Sequence, residues 1–108
     1  MVDTQALAAI RKEIRFEEHS SFLGAGWDTG GCGIVSEVMG RDYGWERWGG
    51  CYLPGDGRHI AHYWNRLPDD RIIDVTADQF GEPGDGVRVT EWHDPRYASW
   101  CECGGTDG

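Results

Sequence analysis

The chain has 108 residues and a formal charge of -9, from 19 acidic against 10 basic side chains. That length suits one domain with an adequate core, and the acidic balance argues against nucleic acid or an anionic membrane surface as the main partner. With no run of 18 apolar residues and a charged start, "MVDTQALAAIRKEIRFEEH", neither a transmembrane span nor a signal peptide is expected, and a cytoplasmic protein is the default.

Taken in chain order, residues 4–17 are expected to form a helix. Thr4 is its candidate cap, Ala6, Leu7, Ile10 and Ile14 a stripe at helical spacing, and Arg11, Lys12, Glu13 and Glu17 the solvent face. His19 to Gly31 is rich in Ser and Gly and is expected to be an ordered loop. A second helix starts at Cys32, with Ile34, Val35, Val38 and Met39 as its buried stripe and Gly40 and Gly44 bounding its end. The period then changes to two. Segments 45–53, 59–67, 71–77 and 87–92 are predicted strands, separated by turns that include "PGDG" at 54–57 and again at 83–86. Six Trp, four Tyr and three Phe supply bulky core material. The expected class is α+β, helices packed on an antiparallel sheet. The domain should span 1–100, with 101–108, "CECGGTDG", as a flexible tail.

The hairpin "AHYWNRLPDDRIIDVTADQFG" holds the first chemical signal. Side chains an even number apart across an antiparallel pair share a face. With Arg66 opposite Asp70, His62 falls directly opposite Asp74; a slip of two residues still keeps both on that face. A carboxylate beside an imidazole orients a base and stabilises its cation. The second signal is Cys32, flanked by glycines at a predicted helix start. There the helix dipole and free N–H groups favour a thiolate, and the same N–H groups can hold an oxyanion. Together Cys32, His62 and Asp74 make a nucleophile, a base and an orienting acid.

The stretches "GGCGIVSEVMGRDYG" and "HYWNRLPDDRIIDVTADQFG" resemble the bacterial YunG-like family of small proteins, over roughly residues 27 to 82. There a Gly-x-Cys opening a helix precedes a His-x-Trp-Asn strand and an Asp-x-Thr-x-x-Gln-Phe segment. The family is similar to a compact branch of the papain-like and transglutaminase-like cysteine enzymes. The resemblance implies a minimal fold of that kind, with Cys32 as nucleophile, His62 as base and Asp74 as orienting acid. It implies a thiol hydrolase or acyltransferase acting on an amide or thioester, such as a peptidase, deamidase or transglutaminase-like enzyme. The chain departs from the family in "GIVSEVMG", where a Val-Thr-Ala-like run is usual, and in Asp70, where glycine is preferred.

Trp27 lies five residues before Cys32, where related folds place an oxyanion-hole side chain. Gly31 and Trp64 are further candidates for oxyanion or substrate contact. No cofactor is expected, and the partner would be a small or extended acyl donor, peptides included. Two rivals stay open. An aromatic-rich acidic domain could be a non-catalytic protein-binding module. Cys101 and Cys103 with His93 could instead form a zinc site, although the usual two-residue gap between thiols is missing. Cys51 is expected as a packed strand residue, and the four cysteines as reduced unless catalytic or metal-bound. His59 should face away from His62. Gln79 and Phe80 should close the far end of the hairpin, and Asp28 should cap the glycine turn.

Overall fold

A computed structural model describes residues 2–19, 26–27 and 31–99. Helix α1 runs Thr4–Glu13. Its cap is Asp3, not Thr4: the Asp3 carboxylate accepts from the Ala6 N–H at 3.1 Å, a residue earlier than expected and with a stronger acceptor. The Thr4 hydroxyl turns instead to Asp85. The helix is also shorter than the pattern suggested, because Ile14 is extended (ψ 128°) and a 3₁₀ turn follows at Phe16–Glu18. Its buried residues are Leu7, Ala8 and Arg11, while Ala6 is exposed.

Arg11 was expected in solvent and is 2% exposed. Burial is tolerable because both terminal nitrogens are paired, Nε alone staying without a hydrogen bond. The guanidinium donates to the Val75 carbonyl and the Asp85 carbonyl, pairs with Asp78 at 2.7 Å, and lies 4.0 Å over the Trp27 ring.

Helix α2, Cys32–Tyr43, buries Ile34, Val35, Val38 and Met39 as the pattern required. Gly44 ends it at φ 72°, returning its N–H to the Gly40 carbonyl, a left-handed cap that suits glycine. Gly40 therefore lies inside the helix. Three polar ties fix α2 on the sheet: Asn65 donates to the Ser36 carbonyl, and Arg47 to the Ser36 hydroxyl and the Gly33 carbonyl.

The strands are β1 Glu46–Tyr52, β2 Ile60–Arg66, β3 Arg71–Asp74, β4 Arg88–Glu91 and β5 Tyr97–Ser99. They form one antiparallel sheet in the order β4-β3-β2-β1-β5. Leu67, Ile73, Val75 and Val87 meet the helices in one apolar cluster. Tyr52, Trp64, Ile72 and Tyr97 form a second, with Trp48, Ile60, Phe80 and Trp92 around it. By strand parity the two clusters lie on opposite faces. The α+β expectation therefore holds. Strand β5 had no counterpart in the sequence pattern, since three residues carry no readable period.

Two details of the sheet place the site. The β2–β3 hairpin closes with Leu67 N–H on the Arg71 carbonyl, leaving a three-residue loop whose last member, Asp70, sits at φ 65°. That is the position where a loop of this length needs a left-handed residue, and the reason glycine would suit it. The pairing becomes Arg66↔Ile72, two residues slipped from the Arg66–Asp70 register. Pairing of β2 with β3 is confined to Asn65↔Ile73 and Arg66↔Ile72, because β3 stops at Asp74 and a 3₁₀ turn, Ala77–Phe80, follows. Beyond it, residues 60–64 of β2 keep only β1 as a partner.

Cys51 is buried on β1, as expected, but it is disulfide-bonded rather than reduced. Both "PGDG" stretches make turns, with Gly55, Gly57, Gly84 and Gly86 all at positive φ. The expectations for residues 20–25, Asp28 and the 101–108 tail lie outside the described residues.

Candidate active site

His62 projects from β2 and Asp74 ends β3, on the same face of the sheet. Their rings and carboxylates meet despite the slipped register: His62 Nε2 lies 2.8 Å from Asp74 Oδ2, and both side chains are fully buried. An ionised carboxylate can only accept, so Nε2 donates to it and Nδ1 is the nitrogen left to exchange a proton with another group. Nδ1 makes no full hydrogen bond.

Cys32, at the first turn of α2 and 7% exposed, is the group that acts on it. Burial by itself would push the thiol up, but its contact with His62, the charge of the imidazolium and the Tyr63 backbone N–H together hold it below its ordinary value. The Tyr63 N–H reaches the sulfur from the stretch of β2 that β3 leaves uncovered. The same contact works in reverse on the histidine. Burial disfavours its cation, yet Asp74 and the thiolate raise its pKa from 6.5 to about 9. Asp74 is likewise opposed by burial, but His62, Tyr97 and Thr76 keep its pKa low. The three groups favour a cysteinate–imidazolium pair backed by a carboxylate.

Other sequence candidates sort differently. The Gly31 N–H donates to the Gly26 carbonyl at 2.8 Å, so it is already engaged and not free for an oxyanion. Its smallness has another cause: a Cβ there would lie 2.3 Å from that carbonyl oxygen and 2.5 Å from Phe16 Cε1. Val35 is the first residue of α2 to find a helical acceptor, the Gly31 carbonyl. The N–H groups of Cys32, Gly33 and Ile34 have none within the helix. Trp27 packs under Arg11 and accepts Gln79 Nε2 on its carbonyl at 3.0 Å. It belongs with the α1 contacts, and Gln79 serves it rather than the end of the hairpin. Phe80 stacks on Tyr52, ring centroids 3.7 Å apart, and presents an edge-on contact to the His62 ring at 4.7 Å.

Trp64 is 3% exposed and packs beside both the His62 ring at 6.3 Å and the Tyr97 ring at 5.2 Å. It also walls a cavity of about 380 Å³ with Trp48, Trp92 and Tyr97. His59 is exposed. Among the described residues no three metal-ligating side chains cluster.

Four members of this neighbourhood were not foreseen: Thr76, Arg88, Tyr52 and Tyr97. Thr76 donates to Asp74 Oδ1 through its N–H (3.1 Å) and hydroxyl (3.3 Å). The other three connect to Asp74 through the Tyr97 hydroxyl, and only the "Asp-x-Thr" spacing of Thr76 was visible in advance, as the short turn it forms.

Comparison with protein-family models, with curated proteins and with solved structures finds no match. The functional reading therefore rests on the residues themselves.

Proposed function

We propose that this chain is a cysteine-dependent acyl-transfer enzyme, a thiol hydrolase or acyltransferase working on an amide or thioester. The observation that carries it is a buried His62–Asp74 pair, 2.8 Å apart, acting on a thiol at a helix start whose pKa is lowered despite burial. A thiol merely packed in a core would be pushed the other way. The chain order Cys, His, Asp is the one used by the papain-like and transglutaminase-like enzymes that the sequence resembles.

In this mechanism His62 Nδ1 takes the Cys32 proton, and the thiolate attacks the carbonyl carbon. The new C–S bond sends the carbonyl electron pair onto oxygen, where the Cys32 N–H at the start of α2 is suited to receive it. The intermediate collapses by breaking the C–N or C–S bond of the substrate, and His62 passes its proton to the departing amine or thiol. Water or an amine then attacks the acyl-enzyme, giving up a proton to His62. The acid or new amide leaves, and the cysteinate–imidazolium pair is restored.

The Cys51 disulfide favours an oxidising compartment over the cytoplasm. Among the described residues no helix is long and apolar enough to cross a membrane.

The test is labelling with iodoacetamide and a vinyl-sulfone panel near neutral pH, with adducts assigned by peptide mass, in wild type and His62→Ala. A single fast adduct at Cys32 that nearly disappears in His62→Ala is expected. Equal labelling in both would mean a binding module with an incidental thiol.

A further inference from the structure

Asp74 is served by more than the imidazole. Its Oδ2 accepts from His62 Nε2 at 2.8 Å and also from the Tyr97 hydroxyl at 2.7 Å. That hydroxyl in turn receives Arg88 Nη1 at 2.9 Å. The same Nη1 reaches the Tyr52 hydroxyl at 3.1 Å, and Arg88 Nε pairs with Glu82 at 2.6 Å.

The direction of each bond is forced. A guanidinium only donates, a carboxylate only accepts, and a phenol has one proton. The Tyr97 proton must therefore point at Asp74. Charges then alternate along the line: Glu82, Arg88, the Tyr97 dipole, Asp74, His62, Cys32. Packing accounts for the ring of Tyr97, which lies edge-on to Trp64 and Tyr52. A phenylalanine would fill that space equally well, so packing does not explain the hydroxyl.

We propose that Tyr97, polarised by Arg88, is a positioning residue of this site, whose hydroxyl fixes the Asp74 carboxylate in its ionised form and aims it at His62 Nε2. The proposal rests on the Cys32–His62–Asp74 reading and extends it to a fourth and fifth residue. The groups facing Asp74 are His62 from β2, Tyr97 from β5, Thr76 from the following turn and, through Tyr97, Arg88 from β4. Cys32 acts on the pair from α2. Without the hydroxyl, Asp74 keeps its charge less readily and supports the imidazolium less, so the cysteinate loses its counter-ion.

The experiment measures the rate of Cys32 alkylation by iodoacetamide against pH, by peptide mass, in wild type, Tyr97→Phe, Asp74→Asn and His62→Ala. Tyr97→Phe is expected to raise the ionisation midpoint of Cys32 by about half to one unit, a roughly three- to tenfold slower reaction below the midpoint. The plateau rate at high pH stays unchanged. A purely structural role would lower the unfolding midpoint and leave the titration in place. Should Tyr97→Phe not fold, 3-fluorotyrosine installed at position 97 keeps the shape and donates more strongly, and the midpoint should move down. Superimposable profiles for wild type and the position-97 variant, with Asp74→Asn shifted, overturn the role of Tyr97 alone. If Asp74→Asn and His62→Ala also leave the profile in place, the triad itself fails and Tyr97 falls with it.

Discussion

Asp74→Asn is the smallest change that challenges the site. The carboxylate accepts from four donors: His62 Nε2, the Tyr97 hydroxyl, and the N–H and hydroxyl of Thr76. Asparagine offers one oxygen and one NH₂ group, so in either orientation its NH₂ confronts two of those donors. If the NH₂ faces His62, the ring must move its proton to Nδ1, and no lone pair is left for the thiol. If the oxygen faces His62, the NH₂ meets the fixed Thr76 N–H, and the negative charge is gone all the same. One buried donor left unpaired costs about 1–3 kcal/mol, and removing one member of a buried ion pair about 3–5 kcal/mol. The chemical effect is larger than the loss of stability. A thiol returned to its ordinary value of 9.0 is about 1% ionised at pH 7, so alkylation of Cys32 there should fall by up to about a hundredfold. Turnover falls further, because a triad histidine in the wrong tautomer costs on the order of 10⁴ in rate. Urea unfolding and iodoacetamide labelling on the same samples separate the two effects. Labelling within twofold of wild type at pH 7, with the unfolding midpoint unmoved, would refute the reasoning.

Gly50→Ala places a Cβ 1.9 Å from the Ala98 carbonyl oxygen, so β5 must shift and carry Tyr97 with it; the variant should lose about 1–3 kcal/mol in urea unfolding and alkylate more slowly at Cys32. Arg11→Met takes the guanidinium away from Asp78 at 2.7 Å and from the face of the Trp27 ring, and the unfolding free energy should drop by about 1–3 kcal/mol. A folded His62 pKa of about 9 against 6.5, raised by Asp74 and Cys32, means that its contribution to stability is complete below about pH 6.5 and disappears as the pH rises through about 9; the urea midpoint of the wild type should fall over that window, fall less in Cys32→Ser, where the thiolate's share is gone, and stay flat in His62→Gln.

What the sequence disclosed and what it hid divide along the range of the interactions. The stripe of α2 was readable because Ile34, Val35, Val38 and Met39 repeat at the pitch of a helix, a local property. His62 and Asp74 were readable as neighbours because parity across a hairpin survives a slip of two residues. Their exact opposition was not, because the slip depended on Asp70 adopting a left-handed backbone, which glycine would have announced and aspartate did not. Arg11 was misplaced because helical pattern treats charge as a solvent label. Its true partners, Val75, Asp78 and Asp85, lie more than sixty residues away. Arg88 and Tyr97 were hidden for the same reason. Arg88 is brought to the site by the β3–β4 pairing Asp74↔Arg88, and Tyr97 by Tyr52↔Tyr97 at the other edge of the order. These two strands, separated by three others in the sheet, meet where Arg88 donates to the Tyr97 hydroxyl and that hydroxyl donates to Asp74, so these hydrogen bonds report on closure of the whole face. A site assembled this way cannot be complete before the last strand, β5, has docked. The thiol, set by α2 and β2, gains its full reactivity only with that final contact.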